Sequence, residues 1–273
     1  MKRRILLVVS ILLVFVGLAL LVAPRVSNQV GKQIAHSTIE DFKSLKSEAT
    51  ADEVTDEMPS EENTTNQNSQ KNNSFVSHID DETELTEEEY NGQTVKPNFT
   101  RLYMDSVIYN EALKQHQAEL LINEQAYQKP SLNLSSYGID NGVYGYVSAP
   151  SIGMELPIYL GGNDDNMALG AAHMTYTSLP IGGESTNCVL SGHSGYIGRI
   201  FFDYLPNLNI GDEIVVENYW NTLTYQVTRK QINKSYESAD CFISDGKDLL
   251  TLITCISDGH GGFDRFYVIA ERS

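Results

Sequence analysis

The sequence predicts a mainly β domain, a closed or nearly closed barrel of seven or eight short strands, carried behind an N-terminal helical anchor. Three observations predict it. Beyond Tyr144, runs rich in β-branched and aromatic residues recur at 144–147, 156–160, 186–190, 213–217, 223–232, 249–255 and 265–270, punctuated by Gly-Gly, Asn-Asp, Pro and Gly-Asp. No helical pattern repeats between them, which suggests one sheet closing on itself. At the other end Lys2, Arg3 and Arg4 precede an uninterrupted apolar run from Ile5 to Ala23.

As a helix rising about 1.5 Å per residue, that run covers roughly the hydrocarbon thickness of a bilayer. A cleaved signal peptide is the alternative, but the run is long for one and Ala23-Pro24-Arg25 is a poor cleavage site. The basic cluster puts the N-terminus in the cytoplasm and the rest outside, as a single-pass membrane protein. Residues 1–25 are therefore expected to be cytoplasmic tip and anchor.

Residues 26–100 are expected to be an extracellular, acidic, largely disordered spacer that gives reach. Its first part, to Lys46, has weak helical periodicity. The stretch from Ser47 to Asn98 is rich in Glu, Asp, Asn, Ser, Thr and Gln, and cannot bury enough apolar surface to offset its chain entropy. Much of the formal net charge of -17 sits between Glu40 and Glu89. The charge describes a tail more than a binding face, and its sign is unsuited to nucleic acid.

Residues 101–141 are read as a helical extension. Tyr103, Val107, Ile108, Leu113, Leu120, Leu121 and Tyr127 recur at mixed three- and four-residue spacing from Arg101 to Gln128, and Pro130 ends the pattern. That stripe predicts an amphipathic helix packed on the domain. The barrel itself is placed at 142–273.

Cysteine 255 ends the apolar run from Leu249 to Thr254, where a central strand should emerge into a loop. A thiol there is well placed to attack, but only the thiolate is a nucleophile, so it needs a nearby base or cation. Spacing alone favours the plainer reading of a buried structural cysteine. Cys188 and Cys241 lie beside apolar residues and are expected as small buried residues, with a disulfide between them as the alternative. Candidate bases are His173, His193 and His260. His193 follows the strand-like Val189-Leu190 in a Gly-flanked loop, whereas His260 lies five residues after Cys255 in a glycine-rich loop and is favoured by proximity. Arg265 starts the last strand ten residues after Cys255. If the two runs pair as antiparallel neighbours, its guanidinium lies beside the thiol and could stabilise an oxyanion, unless Asp264 ties it up.

Thr251-Leu252-Ile253-Thr254-Cys255 resembles the sortase signature Thr-Leu-x-Thr-Cys, followed at about the right distance by the family's arginine. The segment around His193, with Phe202, Leu205, Leu208 and Gly211-Asp212 downstream, resembles the block that follows the sortase histidine. The match covers roughly 142–272, and the ordering of its blocks selects His193 as the base. Leu156–Gly161, Gly170–His173, Thr177–Gly183 and the helix containing Tyr109–Leu113 resemble class C, the pilin-polymerising sortases. Three features depart from class C: no Asp-Pro-aromatic lid motif precedes Tyr144, Ile-Ser-Asp-Gly-His follows Cys255, and no membrane helix follows Arg272.

The resemblance implies a sortase-type barrel and a cysteine transpeptidase at the surface of a Gram-positive bacterium. Cys255 would be nucleophile, His193 acid/base, and Arg265 the stabiliser of oxyanion or substrate. The implied partners are surface proteins or pilins with LPxTG-like sorting signals, and an amine acceptor that is a pilin lysine or a peptidoglycan precursor. Hydrolysis, as in a cysteine peptidase, is the alternative outcome at the same site, and an anchored adhesin or scaffold with a degenerate barrel is the non-enzymatic one. No cofactor is expected. Calcium activation is left open, since Asp164, Asp165 and Glu184 lie in loops but show no ligand spacing.

Overall fold

The run Asp248–Ser257 shows how the sequence builds the sheet. Its centre is apolar on both faces because it is a central strand, with a parallel neighbour on one side and an antiparallel one on the other. A computed structural model describes residues 2–52, 96–120, 126–196, 199–234 and 237–273. Among these residues the strands are β1 (Val143–Ala149), β2 (Met154–Leu160), β3 (Ala171–His173), β4 (Thr186–Ser191), β5 (Glu213–Asn218), β6 (Thr222–Asn233), β7 (Asp248–Ser257) and β8 (Phe263–Arg272). They close into one barrel in the order β1-β2-β3-β4-β7-β8-β6-β5. The pairs β2/β3 and β4/β7 are parallel and the rest antiparallel. The short β3 was not expected from the sequence, since three residues are too few to show a period.

Side chains alternate between two environments along the strands. Val147, Ile158, Leu190, Val216, Leu252 and Val268 fill the barrel, and Phe202, Leu205 and Leu208, all fully buried, join the same core. On the outer face of the β4/β7/β8 wall, Val189, Ile253, Tyr267 and Ile269 pack with Cys241.

Two long helices cover another part of the wall. Helix α1 (Lys2–Asp52) runs unbroken through residues 26–52, the first part of the expected spacer. Ile39 and Phe42, one turn apart, are fully buried, and Leu45 continues the stripe. The Phe42 ring lies 5.9 Å from Tyr146 and 4.6 Å from Tyr219, and burying such a ring contributes roughly 1.5–3 kcal/mol. Lys46 Nζ reaches Glu217 at 3.0 Å, while the Tyr146 hydroxyl donates to the same carboxylate at 2.6 Å. Burial pushes the Glu217 carboxyl up, but these hydrogen bonds and the charges of Lys46 and Lys43 together bring it below its ordinary value.

Helix α2 (Phe99–Leu120) starts on the same aromatic patch, with Phe99 4.6 Å from Tyr219. The Asn98 side chain caps it, accepting from Arg101 N at 2.9 Å. The helix packs as expected, through Leu113, Leu120 and Tyr103 of the expected stripe, but its buried face is shifted from that stripe and its length is shorter. Leu113 is buried, yet Ile108 is 47% exposed, and the buried stripe reads Phe99, Leu102, Ser106, Tyr109, Asn110, Leu113, Gln117. Three of those are polar residues, two satisfied by the barrel's loops and one by strand β1. Asn110 exchanges hydrogen bonds with both backbone groups of Leu179, Gln117 joins Tyr176 O, Cys241 O and Ile243 N, and Ser106 meets the Tyr144 hydroxyl at 2.8 Å. A hydrophobicity pattern cannot reveal a face built this way. Beyond Leu120, residues 121–125 lie outside the described ones, and 126–128 form a 3-10 turn in place of the expected helix end.

The expected span, Ile5–Ala23, falls largely on residues whose side chains lie outside the described ones. Among the described residues no helix is long and apolar enough to cross a membrane. Residues 53–95, which hold most of the expected spacer, also lie outside the described residues.

Candidate active site

Cys255 sits near the C-terminal end of β7, partly buried, and its direct partner on the antiparallel β8 is Arg265. Their separation of ten residues is what a strand, a tight connection and a returning strand require. The Arg265 guanidinium Nη1 donates a hydrogen bond to Cys255 Sγ. The rival for that cation is otherwise engaged: both oxygens of Asp264 lie 3.0 Å from Lys234 Nζ.

The third element arrives on β4. Strands β4 and β7 are parallel, with Ser191 beside Ile253, so His193, two residues past the end of β4, continues alongside Cys255, which is still held in β7 by β8. Side chains tie the two exits together beyond the last ladder bond. Gly192 N donates to Ile253 O at 3.1 Å, the Thr254 hydroxyl donates to Gly192 O at 2.8 Å, and the Ser194 hydroxyl donates to Cys255 O. Phe202 presses on the same place from beneath. Its backbone N–H donates to His193 O at 2.9 Å, and a Cβ on Gly192 would come within 2.8 Å of its ring, so only glycine fits there. Asp203 closes the loop by accepting from Gly195 N and Phe201 N.

The His193 ring stacks on Tyr196, with centroids 5.1 Å apart and planes 16° from parallel. Among the described residues no hydrogen bond joins it to Cys255. The thiol opens into a shallow cavity of about 310 Å³ lined by Ser194, Phe202, Asp203, Thr254 and Phe263, among others, and Phe263 is 64% exposed. The structure therefore puts Cys255 and Arg265 in contact and His193 on the adjoining strand exit, with its ring turned aside.

This arrangement can be set beside known proteins. A family model described as the sortase domain matches residues 147–273. The solved structure of sortase C-1 from Actinomyces oris is 31% identical, with a TM-score of 0.50, over 62% of this chain and 98% of that one. The chain belongs to the sortase family. Sortase C1 of Streptococcus agalactiae, solved in complex with MTSET, matches at 27% identity and a TM-score of 0.54, covering 64% of this chain and 89% of that one. A Bacillus anthracis sortase A is 28% identical over 53% of this chain and 67% of its own.

The structure also places the other candidates of this sortase. His173 is fully buried on β3, with Ser131 Oγ at 3.1 Å from Nδ1 and Ser178 O at 3.0 Å from Nε2. A carbonyl only accepts, so Nε2 carries the hydrogen, and burial holds the ring's pKa down at about 4. His260 is exposed in the β7–β8 connection, where its backbone N–H donates to Asp258. Cys188 and Cys241 are both free and buried, so the alternative of a disulfide between them is not realised. Burial raises both thiols, that of Cys241 to about 12. Sequence reasoning did not single out Ser194 or Asp203, because their roles rest on backbone groups of distant residues and leave no local motif.

Proposed function

We propose that this sortase is a membrane-anchored transpeptidase that cleaves an LPxTG-like sorting signal between Thr and Gly and passes the acyl group to an amine. The hydrogen bond from Arg265 to the Cys255 sulfur is the observation that carries the reading. It supports a scheme in which a permanent cation beside the attacking sulfur also stabilises the oxyanion formed from the carbonyl oxygen. Cys255 Sγ attacks the Thr carbonyl carbon. The Thr–Gly C–N bond breaks as His193 gives a proton to the leaving amine, which leaves a thioacyl enzyme. An incoming amine then loses a proton to His193, attacks the same carbon and frees Cys255. In this scheme the His193 ring leaves Tyr196 for the thiol as substrate fills the cavity, and no cofactor takes part.

A pilin lysine is the acceptor we favour, supported by the likeness to solved sortases C. Anchoring to a peptidoglycan precursor is the second reading. The apolar run from Ile5 to Ala23 would hold the enzyme in the membrane with its N-terminus in the cytoplasm. Incubating the protein with sorting-signal peptides and candidate amines, then weighing the products, tests the scheme. Amide-linked product that disappears in Cys255→Ala is expected. Hydrolysis alone at every amine concentration would make the chain a peptidase.

A further inference from the structure

The acidic stretch was expected to give reach, as a flexible link in series between anchor and barrel. Its two flanks argue otherwise. Phe42, ten residues before the end of α1, and Phe99, the first residue of α2, each lie 4.6 Å from the same Tyr219 ring. Ile39 and Phe42 are fully buried and Lys46 is paired with Glu217, so α1 is already fastened to the barrel before residue 53 is reached. Residues 53–95 follow the fastened part of α1 in the chain and precede α2, whose first residue meets the same ring. They cannot lengthen the connection to the N-terminus.

What stands in series is the helical segment from residue 24 to residue 38, about 22 Å at 1.5 Å per residue. Had residues 24–98 been a flexible coil, their r.m.s. span would have been about 45–50 Å, with any shorter distance open to them. The fastening also has a definite place on the barrel. Helix α1 packs on β1 and β2, which lie four and three steps from β7 round the closed sheet, so it docks on a wall away from the nucleophile. Tracing register through β8, β6 and β5, Cys255 pairs with Arg265 and Arg265 with Asn233. The Glu217 end of β5 pairs with Thr222, at the other end of β6.

We propose that α1 is a rigid post holding the Cys255 site at a set height and aspect above the bilayer. Ile39, Phe42 and Lys46 thereby act as specificity determinants, selecting substrates by the length of chain between their sorting motif and the membrane. The proposal rests on the reading of the apolar N-terminal run as a membrane span.

The full chain in liposomes tests it, with a soluble sorting-signal peptide and a set of liposome-held substrates whose motif follows tethers of graded length. One variant carries a Gly-Ser insertion between the exposed Gln33 and Ile34, which leaves the docked residues untouched. Another carries at the same place a helical insertion of two turns, about 11 Å. All three proteins should turn over the soluble peptide at the same rate, which also checks their fold. With held substrates, the unmodified chain should show a sharp optimum in tether length, the helical insertion should move it to longer tethers, and the Gly-Ser insertion should flatten it. One profile shared by the unmodified chain and both variants would overturn the post. Failure of the unmodified chain to sediment with the liposomes would overturn the anchor reading and the post with it. Failure on the soluble peptide would instead strike at the transpeptidase reading.

Discussion

Histidine 173 should make this sortase lose stability in mild acid, by an amount that can be worked out. Its ring is fully buried, its neutral form is fixed by Ser131 and the Ser178 carbonyl, and desolvation holds its pKa at about 4 against an ordinary 6.5. The unfolded chain therefore binds a proton below 6.5 that the folded one refuses until about 4. The contribution is fully present above pH 6.5 and is lost as pH falls toward 4. Over the whole window the loss amounts to about 3 kcal/mol, and by pH 5 to about 2 kcal/mol. Other groups also titrate in acid, so the test is a comparison with His173→Gln, which keeps an amide donor for the Ser178 carbonyl but cannot titrate. Urea unfolding followed through the single Trp220 at pH 8, 6 and 5 gives both stabilities. The variant should be less stable than the parent at pH 8, and the gap should narrow by about 2 kcal/mol at pH 5. A gap that stays constant with pH would refute the assignment of a buried neutral imidazole.

At the active site, Arg265→Lys should lower kcat by about 10²–10³, the usual cost of removing one aligned oxyanion donor, because an ammonium cannot reproduce the planar fork; steady-state rates on a sorting peptide check it, and parental rates would leave Arg265 a structural residue. His193→Ala should abolish turnover while His260→Ala keeps most of it, and the reverse outcome would move the base to the β7–β8 connection. Gly192→Ala drives a methyl into the Phe202 ring and should destabilise the protein by about 1–3 kcal/mol, read as a fall in Tm. Ser194→Ala should reduce kcat more than it changes KM, and Ser194→Thr should restore it, since the hydroxyl holds Cys255 through its backbone carbonyl.

The sequence carried the strands well, because half-buried and fully buried strands write their environment into residue type. The run ending in Cys255 is apolar on both faces since it lies between two neighbours. The ten-residue return to Arg265 allowed an antiparallel pairing with Cys255, and the structure realises it. Family resemblance, and not distance along the chain, separated His193 from His260. The structure supplies a reason: β4 and β7 are parallel, so the chain leaving β4 at His193 runs on beside Cys255, 62 residues away in sequence. A parallel pairing of that kind has no signature in either strand alone.

The polar fastenings were not legible. Asn110 and Gln117 lie buried on α2 because loops distant in sequence offer them partners, and pattern reading therefore recovered only part of the buried face, through Leu113, Leu120 and Tyr103. Ser194 and Asp203 act on backbone groups, which every residue has. By itself the sequence determined a β barrel, because strand periodicity and short connections are local; Cys255 and Arg265 stood out as a pair only through their resemblance to the sortase motif. Only the tertiary structure decided which face of α2 is buried, that His173 is locked away, and that Phe42 and Phe99 meet on one ring. Each of those depends on closure of the barrel, which brings distant segments together.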